Sequence, residues 1–162
     1  MKLSRKNMWV LRFIKYFAIA FSINWILFLN PFVRIIASKD VSLPYKVFLE
    51  IRKFREIRKG DYVEIYVGDM KLPIRKGKVK YLIKQVVCVY KDKLVYRDGK
   101  FYCNGKFLGK VHKEAPSEPF KYNGIIPNGF FFVMGKHERS FDSRYIGLIP
   151  KKRIVAKLIP LF

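Results

Sequence analysis

The hydrophobic pattern divides the chain into two parts of different character. An uncharged run extends from Tyr16 to Val33 and is apolar on every helical face rather than along one stripe. After residue 38 the apolar positions come in short runs rich in valine, isoleucine, tyrosine and phenylalanine, separated by turn residues. The first pattern favours a membrane-spanning helix, and the second predicts β-strands.

The apolar run has the length of a spanning helix, which needs about 17 to 25 residues. A soluble core helix is the alternative, but Trp9, Tyr16, Trp25 and Phe32 place aromatic rings near the ends and the middle, as in membrane spans. Pro31 suits a helix end better than a helix centre. A cleaved signal peptide would also combine a basic start with an apolar run, but this run is long for one and no A-x-A site follows it.

Positive charge before the span predicts its orientation. Five basic residues precede it: Lys2, Arg5, Lys6, Arg12 and Lys15. By the positive-inside rule the N-terminus is then cytoplasmic, although Arg34, Lys39 and Lys46 follow the span and weaken the asymmetry. We therefore expect residues 1–37 to be a cytoplasmic tip and transmembrane anchor, and residues 38–162 to form an extracytoplasmic domain.

The remainder of the chain is predicted to be mainly β. The runs that carry this prediction are YKVFLEI, YVEIYV, KVKYLIKQVVCVY, KLVY, KFYC, FFFVMG and RIVAKLI. Turn residues such as Asp98-Gly99 and Asn104-Gly105 separate them, and Asp98-Gly99 predicts a tight hairpin. Residues 110–126 are predicted to leave the sheet and run along the surface. Many short strands at close intervals favour a compact antiparallel β-barrel-like domain behind the anchor.

Composition adds a strong positive charge, since 34 lysine and arginine residues face only 12 acidic ones, for a formal net charge of +22. This excess is compatible with nucleic-acid binding, with an anionic lipid surface, or with solvation of a small domain. Cys88 and Cys103 lack the paired ligand spacing of a zinc site. They fit a disulfide outside the cytoplasm and two buried free thiols equally well.

Two residues stand where catalytic chemistry is possible. Ser42, in VSLP, follows Arg34 by eight residues, so it lies within about 28 Å of the membrane end of the helix. Taken alone, such a serine is usually a turn or cap residue. Lys84 interrupts the apolar strand YLIKQVV, and alternation places it on the same face as Leu82 and Val86. A lysine there commonly extends its amine to water, but a desolvated one becomes a neutral base.

A polar cluster lies beside the predicted strand FFFVMG. Its members are Ser140, Asp142, Ser143 and Arg144. Such clusters are often turns with a local ion pair. Here the flanking apolar strands predict that the polar groups are buried and therefore paired.

Taken together, VSLPYKVFL, KGDYVEIYV, YLIKQVVCV, VMGKHERSFDSRYIGLIP and the terminal LIPLF resemble, in this order, the boxes of bacterial type I signal peptidases. The likeness is greatest to the short conjugative-transfer (TraF-type) members, whose last box commonly reads SFDSRYFG. The resemblance implies a serine-lysine mechanism with Ser42 as nucleophile and Lys84 as general base. Ser140 matches the serine that hydrogen-bonds the lysine, and Asp142 and Arg144 match residues that brace the site.

The family likeness also implies the setting and the partners. We expect a single-pass protein of the bacterial inner membrane with a periplasmic catalytic domain, which needs no cofactor or metal. Its substrate is expected to be a signal-peptide-bearing precursor, such as a pilin, bound as an added strand near membrane lipid. Nucleic acid is not expected as a partner. The alternatives are a housekeeping signal peptidase and a non-enzymatic basic membrane protein that docks DNA or anionic lipid.

The chain departs from the family pattern at three places. Asp40 replaces a serine or threonine whose hydroxyl helps to bind the oxyanion, and an ionised carboxylate cannot donate a hydrogen bond. Lys46 replaces a frequent glycine after the Ser-x-Pro turn. Tyr90-Lys91-Asp92 stands where Pro-Gly-Asp is usual. These differences question the local turn geometry and the oxyanion site more than the serine-lysine pair.

Overall fold

The computed structural model describes residues 5–25, 31–38, 42–70, 79–115 and 117–162. Lys2, Lys39, Asp40 and part of the predicted span, residues 26–30, lie outside these ranges. The helices are α1 (Arg5–Asn24), α2 (Ser143–Ile146) and a short 3-10 helix (Lys151–Arg153). The strands are β1 (Val33–Ala37), β2 (Val47–Ile51), β3 (Tyr62–Tyr66), β4 (Tyr81–Cys88), β5 (Lys93–Arg97), β6 (Lys100–Cys103), β7 (Lys106–Lys110), β8 (Asn123–Ile125), β9 (Phe130–Met134), β10 (Ile149–Pro150) and β11 (Ile154–Pro160).

The larger sheet contains seven strands in the order β1-β2-β11-β3-β4-β9-β10, and its paired strands run antiparallel. In β4, Leu82, Lys84, Val86 and Cys88 are buried while the residues between them are not, as alternation requires. Apolar residues of β3, β4, β9 and β11 form the core on which this strand packs. The lysine of β4 is thereby held inside the domain.

The smaller sheet has the order β7-β6-β5-β8. The predicted hairpin at Asp98-Gly99 joins β5 to β6, and both residues adopt positive φ, 51° and 73°, as a primed two-residue turn needs. A disulfide between Cys88 of β4 and Cys103 of β6 connects the two sheets. This bond decides between the two states of the cysteines that the sequence left open.

All seven predicted runs form strands, since β-branched and aromatic residues at alternate positions bury one face. Four strands were not predicted: β1, β7, β8 and β10. β7 and β8 are short and carry glycine, and β8 lies within the segment interpreted as a surface excursion. The prediction of a mainly β, antiparallel domain is confirmed. The described strands do not close into a barrel, since they form two sheets and the strand order of each has two ends.

The N-terminal region also differs from its prediction. Helix α1 begins at Arg5 and ends at Asn24, earlier than the run from Tyr16 to Val33, and Val33 begins β1 in the large sheet. None of the helices in the described ranges is long and apolar enough to cross a membrane. Every side chain described between Met8 and Trp25 is exposed.

Candidate active site

The structure brings Ser42 and Lys84 together. The Nζ of Lys84 donates a hydrogen bond of 2.7 Å to the Oγ of Ser42. Lys84 is 2% exposed and Ser42 is 5% exposed, so the contact is shielded from bulk water. A separation of this size suits proton transfer in either direction between the two groups. Their catalytic roles remain a prediction, but the spatial condition for those roles is met.

The backbone around Ser42 is held by the segment that follows β9. The N–H of Lys136 donates to the carbonyl oxygen of Ser42 at 2.8 Å, and the N–H of His137 approaches the same oxygen at 3.4 Å. Leu43, next to Ser42, is buried among Phe48, Tyr62 and neighbours. Two contacts therefore hold Ser42 in place: the hydrogen bonds to its carbonyl oxygen and the packing of the next side chain, that of Leu43.

Gly135 is a site residue that sequence reasoning did not single out. A β-carbon at this position would overlap the Oγ of Ser140 and lie 2.9 Å from the Oγ of Ser42. Only a residue without a side chain allows both hydroxyls to approach the end of β9 so closely. The sequence feature that could have identified Gly135 is its position as a single glycine directly after a buried strand and before the polar cluster.

Ser140 lies at the site but does not make the hydrogen bond that the family resemblance implies. It is 4% exposed, and its Oγ contacts no hydrogen-bond partner among the described residues. Its place beside Gly135 puts it on the same side as Ser42. Proximity is therefore shown, whereas the aiming of Lys84 by Ser140 stays a prediction.

Asp142 and Arg144 form a buried ion pair beneath this region. Nε and one terminal nitrogen of the guanidinium each donate to the carboxylate at 2.9 Å, and the two residues are 0% and 2% exposed. Burial works against the charge of Arg144, but the hydrogen bonds and the attraction of Asp142 leave its pKa above the usual value. Because the pair is bidentate, its two hydrogen bonds fix the orientation of the guanidinium relative to the carboxylate.

The pair connects several segments of backbone. Asp142 accepts from the N–H of Gly135 at 2.9 Å and caps α2 by accepting from the N–H of Arg144. Arg144 donates to the carbonyl oxygens of Lys110 at 2.8 Å and Ser140 at 3.0 Å. These contacts hold several backbone segments near the site, whereas the bracing role of both residues stays a prediction. Ser143 adds a further contact, because its Oγ accepts from the N–H of Val133.

Two of the three positions that depart from the family pattern lie within the described residues. Lys91 adopts a φ of 71°, the left-handed conformation that glycine adopts at no cost, so the turn is kept at a strain of about 1 kcal/mol. Lys46 donates its backbone N–H to the carbonyl oxygen of Phe162. Asp40 lies outside the described residues.

The described residues include one grouping of potential metal ligands, formed by Cys88, Asp92 and Cys103. Both sulfur atoms are engaged in the disulfide and cannot serve as thiolates. The two histidines each accept a local backbone N–H through Nδ1, that of Glu114 for His112 and that of Arg139 for His137.

Three comparisons relate this chain to known proteins. A family model described as "Signal peptidase, peptidase S26" matches residues 6–162. A curated relative, "Signal peptidase I V" of Bacillus subtilis (strain 168), is 32% identical over 91 residues, which cover 47% of this chain and 54% of the relative. The match therefore spans about half the length of that protein. A crystal structure of a signal peptidase I from Enterococcus faecalis V583 aligns with 68% of this chain and 100% of its own, at 21% identity and a TM-score of 0.42.

Proposed function

This chain belongs to the peptidase S26 family of signal peptidases, and on that basis we propose that it is a serine endopeptidase that removes signal or leader peptides from exported precursors. Ser42 is the nucleophile and Lys84 the general base. The observation that carries this proposal is the buried hydrogen bond of 2.7 Å between Lys84 Nζ and Ser42 Oγ.

The reaction follows from that contact. Uncharged Lys84 takes the proton of the Ser42 hydroxyl as Oγ attacks the scissile carbonyl, and the resulting ammonium then gives that proton to the leaving amine. The acyl-enzyme that remains is an ester of Ser42. A water molecule, deprotonated by Lys84, attacks this ester, and the proton returns to the Ser42 oxygen as the acid is released.

The residues around the pair have positioning tasks. The carbonyl of Ser42 is pinned by the N–H groups of Lys136 and His137, which supports a fixed direction for its hydroxyl. The ion pair of Asp142 and Arg144 fixes the backbone of Gly135 and Ser140. The oxyanion is expected to be bound by the backbone N–H of Ser42, because amide donors are suited to that task.

We also propose that the domain works outside the cytoplasm, beside the membrane. Two features support this placement. Helix α1 and Trp25, which directly follows it, carry exposed aromatic and aliphatic side chains that water does not favour, Phe17 among them. The disulfide between Cys88 and Cys103 is of a kind that persists in oxidising compartments.

The first experiment tests the catalytic pair. Ser42→Ala and Lys84→Ala are each expected to reduce cleavage of a precursor roughly 10³-fold or more, as loss of a nucleophile or its base does in other serine proteases. Lys80→Ala, in an exposed position four residues from Lys84, is the matched control and should cleave normally. Circular dichroism must show that all three variants are folded. Full cleavage by a folded Ser42→Ala variant would refute the proposal.

For the substrate we propose a pilin or another component of a conjugative-transfer apparatus, because SFDSRYIG resembles the last box of that type. Mass spectrometry of a candidate pilin precursor, incubated with the active chain or with Ser42→Ala, reports the cut site and whether the product is linear or cyclic. A panel of unrelated signal-peptide precursors is processed in parallel. Equal cleavage of the whole panel would instead support a housekeeping signal peptidase.

A further inference from the structure

A cavity of about 570 Å³ lies between residues of the two sheets. One part of its wall consists of four consecutive residues of β7, Phe107, Leu108, Gly109 and Lys110. The rest of the wall comes from β4, from the end of β9, from the residues that follow β9 and from α2. The volume is within the range of pockets that hold a small ligand or a short peptide segment.

The part of the wall formed by β7 is the edge of that strand and not one of its faces. Successive side chains of a strand point to opposite faces, so a cavity on one face is lined by alternate residues. Here Phe107 is 53% exposed and contacts the ring of Tyr102, whereas Leu108 packs against the buried cluster that includes Phe101. Both residues nevertheless line the cavity. The cavity therefore runs along the edge of β7.

This edge is open to pairing. β7 pairs with β6 on one side and is the last strand in the order of the small sheet. At one end of β7, the carbonyl oxygen of Lys110 already accepts a hydrogen bond from Arg144. The preceding residues, 107–109, form the part of the edge to which another strand can be added through main-chain hydrogen bonds.

Cations dominate the charged part of the lining. Lys110, Lys136 and Arg144 line the cavity together with a single acidic residue, Glu138, which pairs with Lys110 at 3.3 Å. Lys136 is exposed, and its positive charge is not offset by any further acidic side chain of this lining. Charge complementarity therefore favours an acidic occupant over a basic one.

Arg144 adds a donor that its ion pair with Asp142 does not use. Nη1 donates to the carbonyl oxygen of Lys110 at 2.8 Å, but it carries two hydrogens and contacts no second acceptor among the described residues. This nitrogen lies at the cavity wall, since a β-carbon on Gly109, which also lines the cavity, would be 4.0 Å from it. A carboxylate in the cavity would supply the missing acceptor.

These features together fit an extended peptide in which acidic and apolar side chains alternate. The strand edge binds its main chain, the cations bind its carboxylates, and Val87 and Met134 offer apolar surface to its other side chains. A second copy of this chain fits poorly, because two molecules of net charge +22 repel each other.

We propose that this cavity is a docking site for an extended acidic segment of a partner protein, which adds as a strand to the free edge of β7. The inference does not depend on the proposed peptidase function, since the docking site uses neither Ser42 nor Lys84.

The first test measures binding with fluorescent hexapeptides in which three glutamates alternate with three valines. They are titrated at physiological salt into the full-length Ser42→Ala chain, which avoids cleavage of the probe, and anisotropy reports the affinity. The double variant Lys110→Glu and Lys136→Glu in this background is expected to bind about three- to tenfold more weakly, the range that two exposed ion pairs supply. Absence of saturable binding to the Ser42→Ala chain overturns the proposal.

The matched control is the double variant Lys93→Glu and Lys121→Glu in the same background. It changes the net charge by the same amount at two exposed positions that do not line the cavity. Its affinity for the peptide should remain unchanged. An equal loss in both double variants would show that only the overall positive charge attracts the peptide, and would overturn the docking site.

A second measurement tests the added strand and leaves the protein sequence of the Ser42→Ala chain as it is. Alternate residues of an extended strand direct their N–H groups to opposite edges, so the glutamate and the valine amides face different sides. N-methylation of the set that faces β7 should weaken binding roughly tenfold or more, because its hydrogen bonds are lost, whereas methylation of the other set should not. Equal affinities of the two methylated peptides overturn the strand addition.

Discussion

Most of the buried polar side chains among the described residues lie at the candidate active site. The described residues contain seven buried polar or charged side chains, and all except Glu50 belong to the site: Ser42, Lys84, Ser140, Asp142, Ser143 and Arg144. Burying polar groups is costly unless they are paired, so such a concentration is more typical of a functional site than of a stabilising core. Most are paired here, and Ser140 is the exception.

The unpaired hydroxyl of Ser140 gives a sharp test at the residue scale. Ser140→Ala is expected to lower kcat roughly 10- to 100-fold with little change in KM, because small errors in positioning are costly in catalysis. The unfolding midpoint should stay the same or rise, since the hydroxyl leaves no described partner unsatisfied. Peptide-cleavage kinetics and thermal unfolding measure the two effects.

Ser117→Ala is the matched control for this prediction. Ser117 Oγ is likewise buried and without a hydrogen-bond partner among the described residues, but it lies in another cavity, beside His112 and Tyr145. Its replacement should leave both kcat and KM unchanged. A parallel loss of activity in the two variants would show that Ser140 has no specific part in positioning Lys84.

At the scale of elements, the disulfide joins the strand that carries Lys84 to the small sheet. Cys88 and Lys84 are both buried members of β4, and Cys103 lies on β6. Asp92 lies next to the bond and accepts hydrogen bonds from the N–H of Val89 and from Asn104. Burial opposes the charge of Asp92, but these hydrogen bonds and nearby Lys59 lower its pKa. The two sheets are thus joined by a covalent bond and by polar contacts as well as by apolar packing.

Loss of this bond should weaken the whole domain. Reduction of the wild-type chain with dithiothreitol is expected to lower the free energy of unfolding by about 3 kcal/mol, the loop-entropy value for a crosslink between residues 15 apart. Urea unfolding followed by fluorescence measures this change. The chain has two cysteines in all, so the reductant can act only here.

The double variant Cys88→Ala and Cys103→Ala serves as the control for the reductant. Its stability should be low with or without dithiothreitol, because it has no bond to reduce. An unchanged urea midpoint for the reduced wild-type chain would contradict a stabilising role of the crosslink.

At the scale of the whole molecule, helix α1 stands apart from the β-structure in its exposure. Phe17 and Phe21 are 64% and 58% exposed, and the rings of Trp9, Phe13 and Phe17 stack along one side of the helix. An exposed apolar surface of this extent is expected to bind a membrane or a partner protein. With a net charge of +22, the chain is also attracted to anionic lipid.

Membrane association should therefore depend on α1, whereas the stability of the β-structure should not. Phe17→Asp combined with Phe21→Asp is expected to abolish cosedimentation with anionic lipid vesicles at high salt, where the attraction of the net positive charge is screened, since charged side chains are expensive in hydrocarbon. The unfolding midpoint of the β-structure should remain unchanged. The control, Val79→Asp with Tyr90→Asp, changes two exposed apolar residues outside the helix and should still cosediment. Cosedimentation of the α1 variant at high salt would contradict a membrane-binding role of α1.

The sequence alone was sufficient for features that repeat along the chain or occur within a few residues of one another. Alternation predicted that Lys84 lies on the buried face of its strand, and Asp98-Gly99 predicted the hairpin turn, because side-chain direction and turn conformation depend on near neighbours. The resemblance of the boxes indicated the family for the same reason, since each box is a short local pattern.

Only the tertiary structure decided how distant segments meet. The contact of Ser42 with Lys84, the fit of Gly135 against two hydroxyls, the disulfide and the division into two sheets all join residues whose separation in the chain carries no periodic signal. Whether two buried cysteines bond depends on the approach of their backbones, which the pairing of strands sets. Local pattern therefore determined which residues face inward, while the packing of the sheets determined what each of them meets there.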